Sequence, residues 1–217
     1  MVDTATGPGE GRAYLPIGLA LLITFVAVAA WARHAMGALP GDGIDRQLLA
    51  TPDGLAWNAA SAVSFVGSGP AVAVVGIAVG LWLAWQRRLR AAAVVIAAPA
   101  IAGIAELVAK SVVGRARPST AVLSGESGLG FPSGHVTGFT ALVVALLVVL
   151  VVEHHRRRKH VVVATALAAV LVVAMAAARV AVGAHFATDT VAGMLLGGAT
   201  ALLVAAATLP LERRLRG

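Results

Sequence analysis

The sequence predicts an all-α polytopic membrane protein: six transmembrane helices, with an interfacial helix between the first and second. Three observations carry that expectation. The 217 residues are 59% hydrophobic and only 12% charged, with a mean hydropathy of +0.89, which suits lipid as the main solvent. Apolar runs of roughly 20 residues, the length that crosses a bilayer, recur along the chain. The basic residues stand in short clusters between those runs, the pattern that orients spans. The net charge of +7 is therefore assigned to topology, with no nucleic-acid partner. No long polar linker divides the chain, so residues 1–217 are read as a single membrane domain. The absence of cysteine excludes disulfides, thiolate metal ligands and a cysteine nucleophile.

The first span is expected over residues 14–31. Its leader, MVDTATGPGEGR, carries two acids and one Arg, and the apolar run is long for a secretory core. It is read as a retained span behind a cytoplasmic tail, residues 1–12. The stretch GDGIDRQLLATPDGLAWNAASAVSFVGSG is apolar but interrupted by Asp45, Arg46 and Asp53. It is read as a surface-lying helix, with residues 55–66 an alternative start of the second span. The remaining spans are expected over 70–85, 91–113, 135–152, 161–178 and 190–209. Pro99 should kink the third, Trp82 and Trp85 should anchor at an interface, and Gly193 with Gly197 should permit close helix packing.

Six spans put both termini on one side. That side holds Arg12, Arg87, Arg88, Arg90, Arg156, Arg157, Arg158, Lys159, Arg213, Arg214 and Arg216, eleven of the seventeen Lys and Arg, so it is read as cytoplasmic. Three polar clusters then fall together on the opposite face, at the ends of the third to sixth spans. KSVVGRARP brings Lys110 and Arg117, FPSGH brings Ser133, Gly134 and His135, and ARVAVGAHFATD brings Arg179, His185 and Asp189. Their shared side was not used to assign the topology.

Each cluster has a bland use and a chemical one. Arg forks match phosphate oxygens, and Lys acts as a point charge. Lys110 is also expected to pair with Glu106 one turn earlier, an acid otherwise unpaired at membrane depth. Arg115 is read as a solvated surface charge. PSGH is an ordinary helix start, yet a helix beginning near Gly134 also aims free N–H groups and a favourable dipole at an anion. The bland use leaves His135, a titratable ring atop an apolar span, unexplained. His185 and Asp189 stand four apart, a spacing that lets a carboxylate fix an imidazole tautomer, or that marks only a surface pair. Zinc is the rival use of His135, His185 and Asp189, but three nearby cations would repel it.

Lys110 followed by Arg117-Pro118, Pro132-Ser133-Gly134-His135, and Arg179 followed by His185 and Asp189 resemble the three ordered motifs of the type-2 phosphatidic acid phosphatase superfamily. The likeness runs over residues 91–209, the expected phosphatase core. One position departs: Ala178 stands where that family usually has Ser, which removes a hydroxyl donor. The resemblance implies that His185 attacks phosphorus to form a phosphohistidine, that Asp189 holds its ring, and that His135 protonates the leaving oxygen. It assigns the phosphoryl oxygens to Lys110, Arg117, Ser133, Gly134 and Arg179, with no metal and no other cofactor. The implied substrate is a membrane lipid phosphate: a prenyl pyrophosphate, phosphatidylglycerol phosphate or phosphatidic acid. The implied setting is a bacterial plasma membrane with the site on its outer face. A phosphoryl or head-group transferase on the same fold, and a non-catalytic lipid-binding or transport protein, are the alternatives. The loop TAVLSGESGLG before Phe131 has glycines that suggest mobility.

Overall fold

Long apolar runs become long helices because only a helix satisfies its own backbone hydrogen bonds in hydrocarbon. The computed structural model describes residues 10–35, 43, 45–154 and 158–209. Its helices are α1 (Glu10–Ala35), α2 (Asp45–Leu48), α3 (Leu55–Val66), α4 (Gly69–Trp85), α5 (Leu89–Val113), α6 (Gly134–His154), α7 (Arg158–Ala181) and α8 (Ala187–Thr208). A short 3₁₀ helix, Ser119–Ser124, lies in the connection between α5 and α6. Residues 10–12, expected in a tail, form the first turn of α1. The rest of that tail, and Arg156, Arg157, Arg213, Arg214 and Arg216, lie outside the described residues.

Among the described residues five helices, α1, α5, α6, α7 and α8, are long and apolar enough to cross a membrane. A sixth span exists only if α3 and α4 count as one, and they meet at a bend of 47°. The expected count of six is thus five, or up to six. The break has a local cause. Ser68 caps α4 by accepting from the Ala71 N–H, and Pro70 in the first turn prevents a helix from running through. Alone, the 17 residues of α4 are about 26 Å long, short of a hydrocarbon core of ~30 Å. The stretch expected at the interface holds two helices, α2 and α3, and α3 buries Ala60 and Ser64, with Ala60 packed on Ala178 and Val182 of the α7 end.

α6 and α8 form the centre of the bundle, with α1, α5 and α7 around them. Ala141, Ala145, Ala199, Ala201 and Ala205 are fully buried, and α1 docks by stacking Phe25 on Phe131. The exposed Val162, Val163, Leu167, Val170 and Val173 of α7 suit a lipid surround. Gly193 and Gly197 do what their spacing predicted. A Cβ on Gly193 would stand 3.0 Å from the Ser133 carbonyl oxygen, and one on Gly197 would run into that of Thr137. Gly197→Leu should therefore force α8 off α6 and lower stability by about 1–3 kcal/mol, read as an earlier thermal transition in detergent. An unchanged transition would contradict this packing.

Candidate active site

The α6–α8 contact sets the geometry of the polar clusters. Because α8 lies so close to α6, the Ser133 N–H reaches the Asp189 carbonyl at 3.0 Å, joining the PSGH turn to the first turn of α8. Ser133 is fully buried there, and Gly134 opens α6. α5 ends just after Lys110, and the chain turns back so that the Gly130 N–H meets the Arg115 carbonyl at 2.8 Å. That fold-back carries Arg117 beneath the segment between α7 and α8. Arg179 projects from the last turn of α7.

His185 sits in that segment, 1% exposed. Arg117 binds it twice over: Nη1 donates to the Ala184 carbonyl at 3.0 Å and faces His185 Nε2 at 2.8 Å. A guanidinium only donates, so Nε2 carries the lone pair and the ring proton resides on Nδ1. Nδ1 faces Asp189 Oδ2 at 3.7 Å, which is longer than a hydrogen bond. Asp189 is fixed from elsewhere, with Oδ2 accepting the Phe186 N–H at 3.1 Å. The expected His185–Asp189 partnership is therefore an alignment, with the ring nitrogen facing the carboxylate just beyond hydrogen-bond reach.

Burial, then Arg117 and Arg179, hold the His185 imidazole well below its ordinary pKa of 6.5. The ring is neutral above that lowered value, and only the neutral ring has a nucleophilic lone pair. Activity should persist as pH falls through 6.5 and decline only below it, which a kcat/KM profile against pH measures. An acid limb at or above the ordinary value would contradict the assignment.

The structure brings most of the expected residues to one cavity. Lys110, Arg117, Gly134, His135 and His185 all line a volume of about 520 Å³. Lys110 pairs with Glu106 at 2.5 Å, as its spacing predicted. Arg179 reaches the same cavity through Glu126, which it pairs with and which also lines it. Ser133 Oγ, Arg179 Nε and His185 Nδ1 are buried with no hydrogen-bond partner among the described residues. Such groups each cost about 1–3 kcal/mol if left unmet. Their clustering with Lys110 and Arg117 suits an oxygen-rich anion. Ala178, in contrast, is 5% exposed in an apolar cluster with Ala60, Val182 and Ala184, so that position contributes packing.

Two residues outside the expected set complete the cluster. Arg115 is a correction: it is no solvated charge but is buried, 8% exposed. It donates to Asp189 Oδ1 at 2.7 Å and Thr188 Oγ1 at 2.8 Å, with its guanidinium 4.3 Å over the Phe186 ring. The reason is the fold-back, which gives Arg115 and Arg117 an extended spacing of two, so both face the start of α8. Glu126 bridges Arg117 and Arg179 from the loop before α6. Burial alone would raise its pKa, but Arg179 and Arg117 outweigh burial and hold it low, so it is ionised. An isolated acid between two cationic motifs was the available signal for Glu126.

Comparison with known proteins bears on the family and the fold. The family model described as the PAP2 superfamily matches residues 89–211. Among curated proteins none matches. The fold is similar to the crystal structure of the first transmembrane PAP2 type phosphatidylglycerolphosphate phosphatase from Bacillus subtilis. That likeness has a TM-score of 0.76 and 21% identity, covering 92% of this chain and 97% of that one.

Proposed function

The chain belongs to the PAP2 superfamily, and from that premise we propose that it releases phosphate from a lipid phosphomonoester or pyrophosphate through a phosphohistidine at His185. The observation that carries this is the buried ring of His185, with its lone pair on Nε2 turned toward Arg117 in a cavity lined by cations. In the first step Arg117 passes from His185 Nε2 to the phosphoryl oxygens, the freed Nε2 lone pair attacks phosphorus, a P–N bond forms, and the bond to the lipid oxygen breaks. His135, on the same cavity, gives that oxygen its proton. Lys110, Arg117, Arg179, Ser133 Oγ and the backbone at Gly134 take the phosphoryl oxygens, where charge spreads in the transition state. Asp189 balances the developing positive charge on the ring. Water then cleaves the P–N bond, passing its proton to His135 as its oxygen bonds to phosphorus, which releases phosphate and regenerates both rings.

A lipid substrate is supported by the rest of the cavity, which runs from these residues past Gly103, Pro99 and Gly76 to Ile77 and Ile96 between α4 and α5. The head group would meet the cations while its chain lies along this apolar wall. Prenyl pyrophosphates, phosphatidylglycerol phosphate (the substrate in the name of the similar Bacillus subtilis protein) and phosphatidic acid all have that form. The catalytic core is taken as residues 91–209 of one membrane domain, in a bacterial plasma membrane. With α3 and α4 counted as one span, both termini would share one side, and the clusters of basic residues support reading that side as cytoplasmic and the site as on the outer face. The test is phosphate release by purified protein across those three lipids, with and without a chelator and with no added acceptor. Release unaffected by the chelator is expected. No release from any of them would refute a hydrolase and favour a transferase or a binding protein.

A further inference from the structure

We propose that Glu126 is a charge filter: it holds the two guanidinium groups meant for phosphoryl oxygens, yielding them to doubly charged phosphates and denying them to singly charged phosphodiesters. The inference rests on the phosphatase reading above. Glu126 gives one carboxylate oxygen to each cation, Oε2 to Arg117 Nη2 at 3.0 Å and Oε1 to Arg179 Nη2. Two oxygens of a phosphoryl group would make the same pair of contacts. A second carboxylate treats the other half of the site alike. Glu106 pairs with Lys110, and its Oε1 would stand 2.8 Å from a Cβ on Gly134, close against the first residue of α6. Resident acids thus face both the cations and the helix start, and a ligand gains those contacts only by displacing them.

Charge then decides the contest. Glu126 brings one negative charge and is tethered, so it competes at an effective concentration of about millimolar or higher. A phosphodiester also carries one charge, and exchanging it for Glu126 gains little. A phosphomonoester carries about −1.5 to −2 near neutral pH, and a pyrophosphate carries more. In a half-buried site that extra charge is poorly screened. The surrounding bilayer consists largely of phosphodiester lipids, so a bare cationic site at its surface would be filled by them. Discrimination against an abundant wrong ligand calls for a repulsive element, and Glu126 supplies one.

The experiment compares wild type with Glu126→Gln, which keeps the shape and removes the charge. Two inhibitors are used in detergent micelles: decylphosphonate at a pH where it is doubly charged, and its singly charged monomethyl ester. Both are tested against whichever lipid phosphate wild type hydrolyses. In Glu126→Gln the Ki of the ester should fall about tenfold or more, and further than the Ki of the phosphonate, so the preference for double charge narrows. A purely structural role would move both constants together, and an unchanged ratio of the two Ki values would overturn the filter. If Glu126→Gln does not purify folded, Glu126→Ala in the same assay decides by the same ratio. Absence of turnover by wild type would instead overturn the phosphatase reading, so the two failures are distinct.

Discussion

His185→Ala is expected to remove phosphate release almost entirely, by a factor on the order of 10⁴ or more, as loss of a covalent nucleophile does. The geometry leaves no obvious substitute. His185 Nε2 is the imidazole nitrogen held by Arg117, and Asp189 stands behind the other nitrogen of the same ring. The variant should still fold, because the helices that frame the segment pack through α6, α7 and α8 without it. Arg117 would keep its bonds to Ala184, Ser127 and Glu126. Phosphate release is measured beside thermal unfolding, so an inactive but folded protein is distinguished from a collapsed one. Turnover within tenfold of wild type would remove His185 from the chemistry.

Arg115→Met should have the largest effect on stability. Arg115 and Asp189 have side chains 6% and 0% exposed, and their contact is 2.7 Å. Removing one partner of a buried ion pair leaves the other charge without its counterion, a loss of about 3–5 kcal/mol. Activity should fall as well, because Asp189 Oδ1 would lose the contact that helps to hold the carboxylate beside His185. Arg115→Lys should recover part of the stability through its charge, since a single nitrogen, Nη1, meets both Asp189 and Thr188, but not the stacking of the planar guanidinium over the Phe186 ring. Thermal unfolding in detergent ranks wild type above Arg115→Lys above Arg115→Met. Equal stability of all three would show that the pair contributes nothing.

Hydrophobic length made the long helices legible. The expected span 91–113 is α5, Leu89–Val113, and 135–152 is α6, Gly134–His154. The start of α8 was placed three residues late, because its first turn, with Thr188 and Asp189, is polar for a structural reason: it caps and pairs. The break between α3 and α4 was legible as a surface-lying segment followed by a span from Pro70, but the 47° bend was not, since hydropathy reports burial in lipid and carries no direction. The motif residues Lys110, Arg117, His135 and His185 were readable because each is polar at the end of an apolar run. Arg115 was not, because a charge near a membrane surface gives no sign of being folded inward. Its burial depends on a turn that returns residues 129–130 to residues 115–116. Glu126 escaped for the same reason, as its partners Arg117 and Arg179 lie on segments far apart in the chain.

The covalent step is the centre of the account and is open to direct observation. Purified protein is mixed with a substrate carrying a labelled terminal phosphoryl group and quenched within a turnover into alkali, where phosphohistidine survives. Peptide mass spectrometry then locates the label. A phosphoryl group on His185, absent from His185→Ala, is the expected result. Continued turnover with the label on His135, or on no residue at all, would contradict it.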